Sequence, residues 1–147
     1  MHNAYIGLGT NLGNLQKNLK KAKILIMERK IEIKKESSIL ETKPVDFLDQ
    51  PDFLNQIIEI ETGYSPKELL DILKDIEKKM KRKKTIPKGP RIIDLDILLY
   101  DDIIFMSKDL IIPHSEIKNR KFILTHLIEL NSGLRDPLSG EYYRSML

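Results

Sequence analysis

Two periods of apolar residues run through this chain, and the switches between them predict its elements. Ala4 to Leu8 is a short apolar run, read as a buried first strand. Leu15, Leu19, Ala22 and Ile26 then recur at helical spacing, so a helix capped by Asn14 is expected to run to about Arg29. Ile31 to Leu40 reads as a second strand, with Ile31 and Ile33 alternating against charged residues. Phe53 to Glu61 reads as a third, with Leu54, Ile58 and Ile60 facing a core and Phe53 and Asn55 on the opposite face. Ser65-Pro66-Lys67-Glu68 is a capping box with proline at the first helical position. The helix that follows places Leu69, Ile72, Leu73, Ile76 and Met80 on one side. A strand over Asp94 to Tyr100, a short edge strand over Ile103 to Met106, and a helix over Phe122 to Leu130 complete the pattern. The tail from Asn131 carries turn signals and little core. This order is a split βαβ arrangement of the α+β class: a mostly antiparallel sheet with helices on one face and a small C-terminal helical extension. A single domain over residues 1–147 is expected.

The strand at Asp94 carries the densest candidate chemistry. Asp94 and Asp96 lie one pleat apart, about 7 Å between Cα atoms, and share a face. Leu95, Ile97 and Leu99 are expected on the other, buried face. Ahead of the strand, eight of the fourteen residues from Lys78 to Arg91 are Lys or Arg. Paired carboxylates beside clustered cations suit a polyphosphate carrying Mg²⁺. On spacing alone, a polar strand end beside a solvated basic loop fits equally well. Two further readings start from the same residues. Phe53 and Asn55 together suit a flat polar ring, although such a pair alone is ordinary surface. Gly7-Leu8-Gly9-Thr10-Asn11-Leu12-Gly13 has the look of a phosphate loop, but it lacks the Gly-Lys-Ser/Thr ending and reads better as a tight strand-to-helix turn.

Composition narrows the field. The chain is 41% hydrophobic and 32% charged, which favours folding over disorder. A net charge of +3 is too small to mark a nucleic-acid binder. The absence of cysteine excludes disulfides, thiolate zinc sites and a cysteine nucleophile. No apolar run is long enough to span a membrane, and the N-terminus lacks a signal-peptide layout. The expectation is a cytoplasmic monomer with small-molecule substrates, no nucleic acid and no membrane. An RNA-binding module has the same strand–helix order, but its central strands display aromatics where this chain has two aspartates. A Mg²⁺-dependent nuclease would need further acidic ligands that the sequence does not reveal.

Four blocks in order carry a family resemblance. They are Ala4 through Gly13, Gln50-Pro51-Asp52-Phe53-Leu54-Asn55, Gly89-Pro90-Arg91 through Asp94-Leu95-Asp96-Ile97, and Pro113-His114 with Lys118-Asn119-Arg120 and Phe122. Together they span nearly the whole chain and resemble the 6-hydroxymethyl-7,8-dihydropterin pyrophosphokinases of the folate pathway. The resemblance implies a ferredoxin-like fold and transfer of pyrophosphate from ATP to the pterin hydroxymethyl group, releasing AMP. It implies two Mg²⁺ ions held by Asp94 and Asp96, with ATP as co-substrate. It places the pterin between Phe53 and Phe122, its amide edge read by Asn55 and the backbone near Thr42. Arg82, Lys84 and Arg91 fall where the family grips phosphates, and Asp96 joins them as catalytic. His114 and Arg120 match residues contacting ATP, and Glu77 and Ile97 fall near the adenosine. The loop Lys81 to Lys88 departs from many relatives: it has lysines where they have arginine and tryptophan, and the chain has no Trp. Ser115 and Asp109 stand where some members have tyrosine and arginine.

Overall fold

The computed structural model describes residues 1–44, 49–80 and 91–147. Residues 45–48 and 81–90 lie outside the described residues, and so do Arg82 and Lys84 with the roles expected of them. The described elements are β1 (His2–Thr10), α1 (Leu15–Met27), β2 (Glu32–Glu36), β3 (Leu40–Thr42), β4 (Phe53–Thr62), α2 (Pro66–Lys79), β5 (Asp94–Tyr100), β6 (Phe105–Met106), β7 (Ile111–Ile112) and α3 (Lys121–Leu130), with a 3₁₀ turn at Tyr143–Met146. The main sheet runs β2-β4-β1-β5, and β3 also pairs with β4. All of these pairings are antiparallel.

Local chemistry sets the helix starts. The Asn14 side chain accepts the Lys17 N–H, and Ser65 and Glu68 exchange both bonds of the capping box, with Pro66 in the first turn. The expected stripes are buried apart from Leu15, which is half-buried. Leu19, Ala22 and Ile26 of α1 and Leu69, Ile72, Leu73 and Ile76 of α2 pack on Ala4, Ile6 and Leu8 of β1, Ile58 and Ile60 of β4, and Leu95 and Ile97 of β5. Burial of each such Leu or Ile contributes about 1.5–3 kcal/mol.

The other face corrects the expectation that all helices lie on one side. Ile123, Leu124, Leu127 and Leu130 of α3 pack on Tyr5, Ile57, Leu98 and Leu99. Tyr5 and Ile57 make that end of the face apolar, so it too requires cover. Leu99 is therefore not on the same face as Leu95 and Ile97. The pairing shifts register between Tyr5 and Ile6, from Tyr5↔Leu99 to Ile6↔Ile97, and the bulge turns both Leu98 and Leu99 toward α3.

Three further boundaries differ from expectation. The predicted strand Ile31 to Leu40 is broken between β2 and β3. There Ser37 accepts the Ile57 N–H with its hydroxyl and donates its own N–H to Ile57 O. Ser38 gives its N–H and hydroxyl to Glu129 of α3, at 2.8 and 2.9 Å. The short β6 has a partner, β7, and the two form a separate sheet. The C-terminal tail contributes to the core, since Tyr143 and Asp136 are each 1% exposed. No helix among the described residues is long and apolar enough to cross a membrane.

Candidate active site

α3 covers only one end of its sheet face, and the uncovered end holds a cavity of about 390 Å³. Its floor is glycine. Gly9 of β1 pairs with Asn55 of β4 on one side and Asp94 of β5 on the other, while Gly7 pairs with Ile57 and Asp96. With no side chains on the central strand, the Asn55 amide and the aspartate carboxylates face each other across two strand spacings, about 10 Å. A Cβ at Gly9 would stand 3.6 Å from Asn55 Oδ1 and 3.7 Å from the Phe53 ring, so a side chain there would fill the floor.

The Asn55 side is held in one orientation. Its Nδ2 donates to Thr42 Oγ1 at 2.6 Å and to Leu40 O at 3.3 Å. That leaves the amide oxygen as the group beside Gly9, an acceptor flanked by Phe53. Phe122, in the first turn of α3, lines the cavity and meets His126 edge-on, with ring centroids 6.4 Å apart.

The Asp94 side is anchored through the turn after β1. Asn11 donates its N–H to Arg91 O at 3.0 Å and accepts the Arg91 N–H on Oδ1 at 2.8 Å. Its Nδ2 reaches Gln50 Oε1 and Pro51 O. Gly13 then takes a positive φ of 85° before α1. Asn11 through Gly13 is thus the tight turn of the preferred reading, while Gly7 and Gly9 belong to β1. Arg91 Nη1 pairs with Asp94 at 3.0 Å. From beneath the sheet, Glu77 accepts the Leu95 N–H at 2.8 Å. β5 is an edge strand, and this bond from α2 satisfies a buried donor between the two aspartates.

These contacts crowd negative charge. Burial, followed by the Asp94 and Glu77 carboxylates, pushes the Asp96 pKa up to about 7, against the pull of Arg91 and Arg120. Among the described residues no group of three or more His, Asp or Glu could hold a metal ion. Two aspartates with only oxygen donors suit Mg²⁺, which retains waters and accepts phosphate oxygens. A cation there would offset the burial and the repulsion that together raise the Asp96 pKa. A carboxyl whose folded pKa is raised costs stability as pH climbs from its unfolded value toward 7 and costs none below both values. Asp96→Asn is therefore expected to melt at a higher temperature than the wild type at pH 8 without metal, with the gap closing near pH 4. A lower melting temperature at pH 8 would contradict the crowding.

Of the residues singled out in the sequence, Thr42, Phe53, Asn55, Arg91, Asp94, Asp96, His114, Arg120 and Phe122 all line this cavity. His114 Nδ1 accepts the Glu116 N–H, and Arg120 pairs with Glu116 at 3.4 Å. Glu77 and Ile97 are not in the lining. The Ile97 side chain lies in the core beneath the sheet, and Glu77 Oε2 accepts the Leu95 N–H. Lys43 and Glu116, given no individual role in the sequence, also line the cavity, and Gly7 and Gly9, read there as part of a glycine-rich turn, form its floor. Glycines at alternate positions of one strand signal a close approach on that face, and that signal was present at Gly7 and Gly9.

Residues 5–132 match the family model of 7,8-dihydro-6-hydroxymethylpterin-pyrophosphokinase (HPPK). The chain belongs to the HPPK family. A Bacillus subtilis relative named 2-amino-4-hydroxy-6-hydroxymethyldihydropteridine pyrophosphokinase is 40% identical over 86% of this chain and 77% of its own length. The Pneumocystis carinii folic acid synthesis protein fol1 is 42% identical over 92% of this chain. This chain spans only 18% of that relative's length, and 26% of a mitochondrial bifunctional folate synthesis protein of Arabidopsis thaliana. The crystal structure of Plasmodium falciparum HPPK-DHPS superposes with a TM-score of 0.76 over 99% of this chain and 43% of that one, at 17% identity. The HPPK fold is thus shared well below the identity at which individual site residues correspond.

Proposed function

We propose that this chain transfers the pyrophosphoryl group of ATP to the hydroxymethyl group of 6-hydroxymethyl-7,8-dihydropterin, releasing AMP, as a step of folate synthesis. One observation carries the reading. Two aspartates face an oriented amide and two phenylalanines across a glycine floor, with Arg91, His114 and Arg120 around the same cavity. Family membership supports it. The four long strands, with α1 and α2 as crossovers, support a ferredoxin-like split βαβ fold.

In this reading the pterin lies between Phe53 and Phe122, with the Asn55 oxygen accepting from its amide edge. The triphosphate lies over Asp94 and Asp96, gripped by Arg91 and Arg120. The alcohol oxygen attacks the β-phosphorus, and the bond to the α-phosphate oxygen breaks with AMP. The alcohol proton passes to Asp96. Little covalent work falls to the protein, so positioning and charge do most of it. Asp94 and Asp96 would hold two Mg²⁺ ions, which when bound neutralise the phosphates and align the attacking oxygen. Arg91 restrains Asp94, and Glu77 fixes the strand between the ligands. Arg82 and Lys84 belong to the proposal as further phosphate contacts. Action as a monomer in the cytoplasm is also part of it.

The test is incubation with ATP, Mg²⁺ and the hydroxymethyl pterin. The expected products are AMP and a pterin diphosphate in equal amounts. Formation of ADP with a pterin monophosphate, or no turnover, would refute the reaction.

A further inference from the structure

The segment between β7 and α3 supplies His114, Glu116 and Arg120 to the cavity. Its start is tied to the sheet, where the His114 N–H donates to Leu98 O at 2.9 Å. Its middle is tied to the core by Ile117, 1% exposed and packed in the cluster beneath α3. Next to Ile117, Lys118 Nζ reaches Asp136 Oδ2 at 2.7 Å. The two partners differ in surroundings, because the Asp136 side chain is 1% exposed and that of Lys118 is 51% exposed.

Asp136 belongs to the C-terminal extension and is held there on its own account. Its carboxylate accepts the Leu138 N–H and the Ser139 hydroxyl, each at 3.0 Å. Its N–H donates to Glu141 O, and the buried Tyr143 closes the extension with an N–H bond to Leu134 O at 3.0 Å. Burial works to raise the Asp136 pKa, but Lys118, Leu138 and Ser139 overcome it, and the carboxyl lies below the ordinary aspartate range. Taking a carboxylate out of water is costly unless a cation meets it. Lys118 in any other position would leave that anion with two neutral donors, so the pair strongly favours one placement of Lys118.

We propose that the Lys118–Asp136 pair is a positioning clamp, through which the C-terminal extension holds residues 114–120 so that His114 and Arg120 face the nucleotide. The inference rests on the reading of this cavity as an ATP site. Ile117 sets the depth of the segment and the ion pair sets its rotation about that anchor. Two residues on, Arg120 is steadied by its pair with Glu116 and by its own N–H, which donates to Glu116 O at 3.1 Å. The pterin side is independent of the clamp. Thr42, Phe53 and Asn55 sit on β3 and β4, and Phe122 rides on α3, which is seated by its own apolar stripe.

The test uses Lys118→Met, which keeps most of the stem and removes the charge, and Lys118→Arg, which keeps the charge. Calorimetry measures the binding of a non-hydrolysable ATP analogue with MgCl₂ and, separately, of the hydroxymethyl pterin. Lys118→Met is expected to weaken the nucleotide about tenfold and the pterin less than about twofold, raising KM for ATP more than it lowers kcat. Lys118→Arg is expected to restore most of the nucleotide affinity. Asp136→Asn is expected to show the same selectivity, and Lys118→Met keeps the question open to measurement if Asp136→Asn does not fold. Unchanged nucleotide affinity in a folded Lys118→Met, or equal loss of both ligands, overturns the clamp. A wild-type chain that binds no nucleotide overturns the proposed function and the clamp with it. A wild-type chain that turns over while Lys118→Met binds ATP normally overturns the clamp alone.

Discussion

Asp96→Ala is expected to lower the rate of Mg²⁺-dependent AMP formation by about a thousandfold or more, in a protein that melts no lower than the wild type. Burial and the acidic neighbours raise the Asp96 pKa to about 7, so without metal its charged form is disfavoured. Removing it takes away an unfavourable charge and, with it, half of the carboxylate pair. Loss of activity and retention of stability are therefore expected together, which separates a ligand from a structural residue. Asp94→Ala should cost a similar factor for a compound reason, because it also releases Arg91 from the 3.0 Å pair that holds it beside the cavity. Rates at saturating substrates, with thermal melts of the same samples, decide the matter. Either variant turning over within about threefold of wild type would contradict the metal role given to that residue.

Phe122→Ala is expected to weaken pterin binding about ten- to a hundredfold and ATP binding less than about threefold. A base stacked on an aromatic ring contributes about 1–3 kcal/mol, and the pterin is a ring of that kind. Phe122 is only partly buried and packs at the margin of the core beneath α3, so truncation removes a cavity wall without opening that core. Neighbouring Ile123, Leu124 and Leu127 keep α3 seated. Calorimetric titration with each ligand checks the split. Equal loss for both ligands would undo the stacking assignment and point to displacement of α3 as a whole.

The candidate site was legible where its residues obey strand and helix periods. Asp94 and Asp96 share a face because the pleat has period two, and Asn55 and Phe53 share one for the same reason. The capping box at Ser65 and the stripes of α1 and α2 likewise depend only on near neighbours. What escaped depends on distant partners. The bulge opposite Tyr5 and Ile6 moves Leu99 to the α3 side, and nothing within β5 itself announces it. Ser37 and Ser38 break a strand because Ile57 and Glu129, far along the chain, meet their polar groups. Glu77 reads as a charged position of a helix, but its carboxylate is used on the Leu95 N–H. Two-residue strands such as β7 are too short for any period to register. The tail looked coreless because its buried members, Asp136 and Tyr143, are single residues among turn signals.

Whether Asp94 and Asp96 jointly gather divalent cations is tested most directly by anomalous scattering. Crystals of the wild-type chain would be grown with Mn²⁺, a non-hydrolysable ATP analogue and the hydroxymethyl pterin. Two anomalous peaks are expected, each within about 2.3 Å of carboxylate oxygens from this pair and shared with phosphate oxygens. Ordered nucleotide with no metal peak at these carboxylates, or with the two side chains turned away from the triphosphate, would contradict the account.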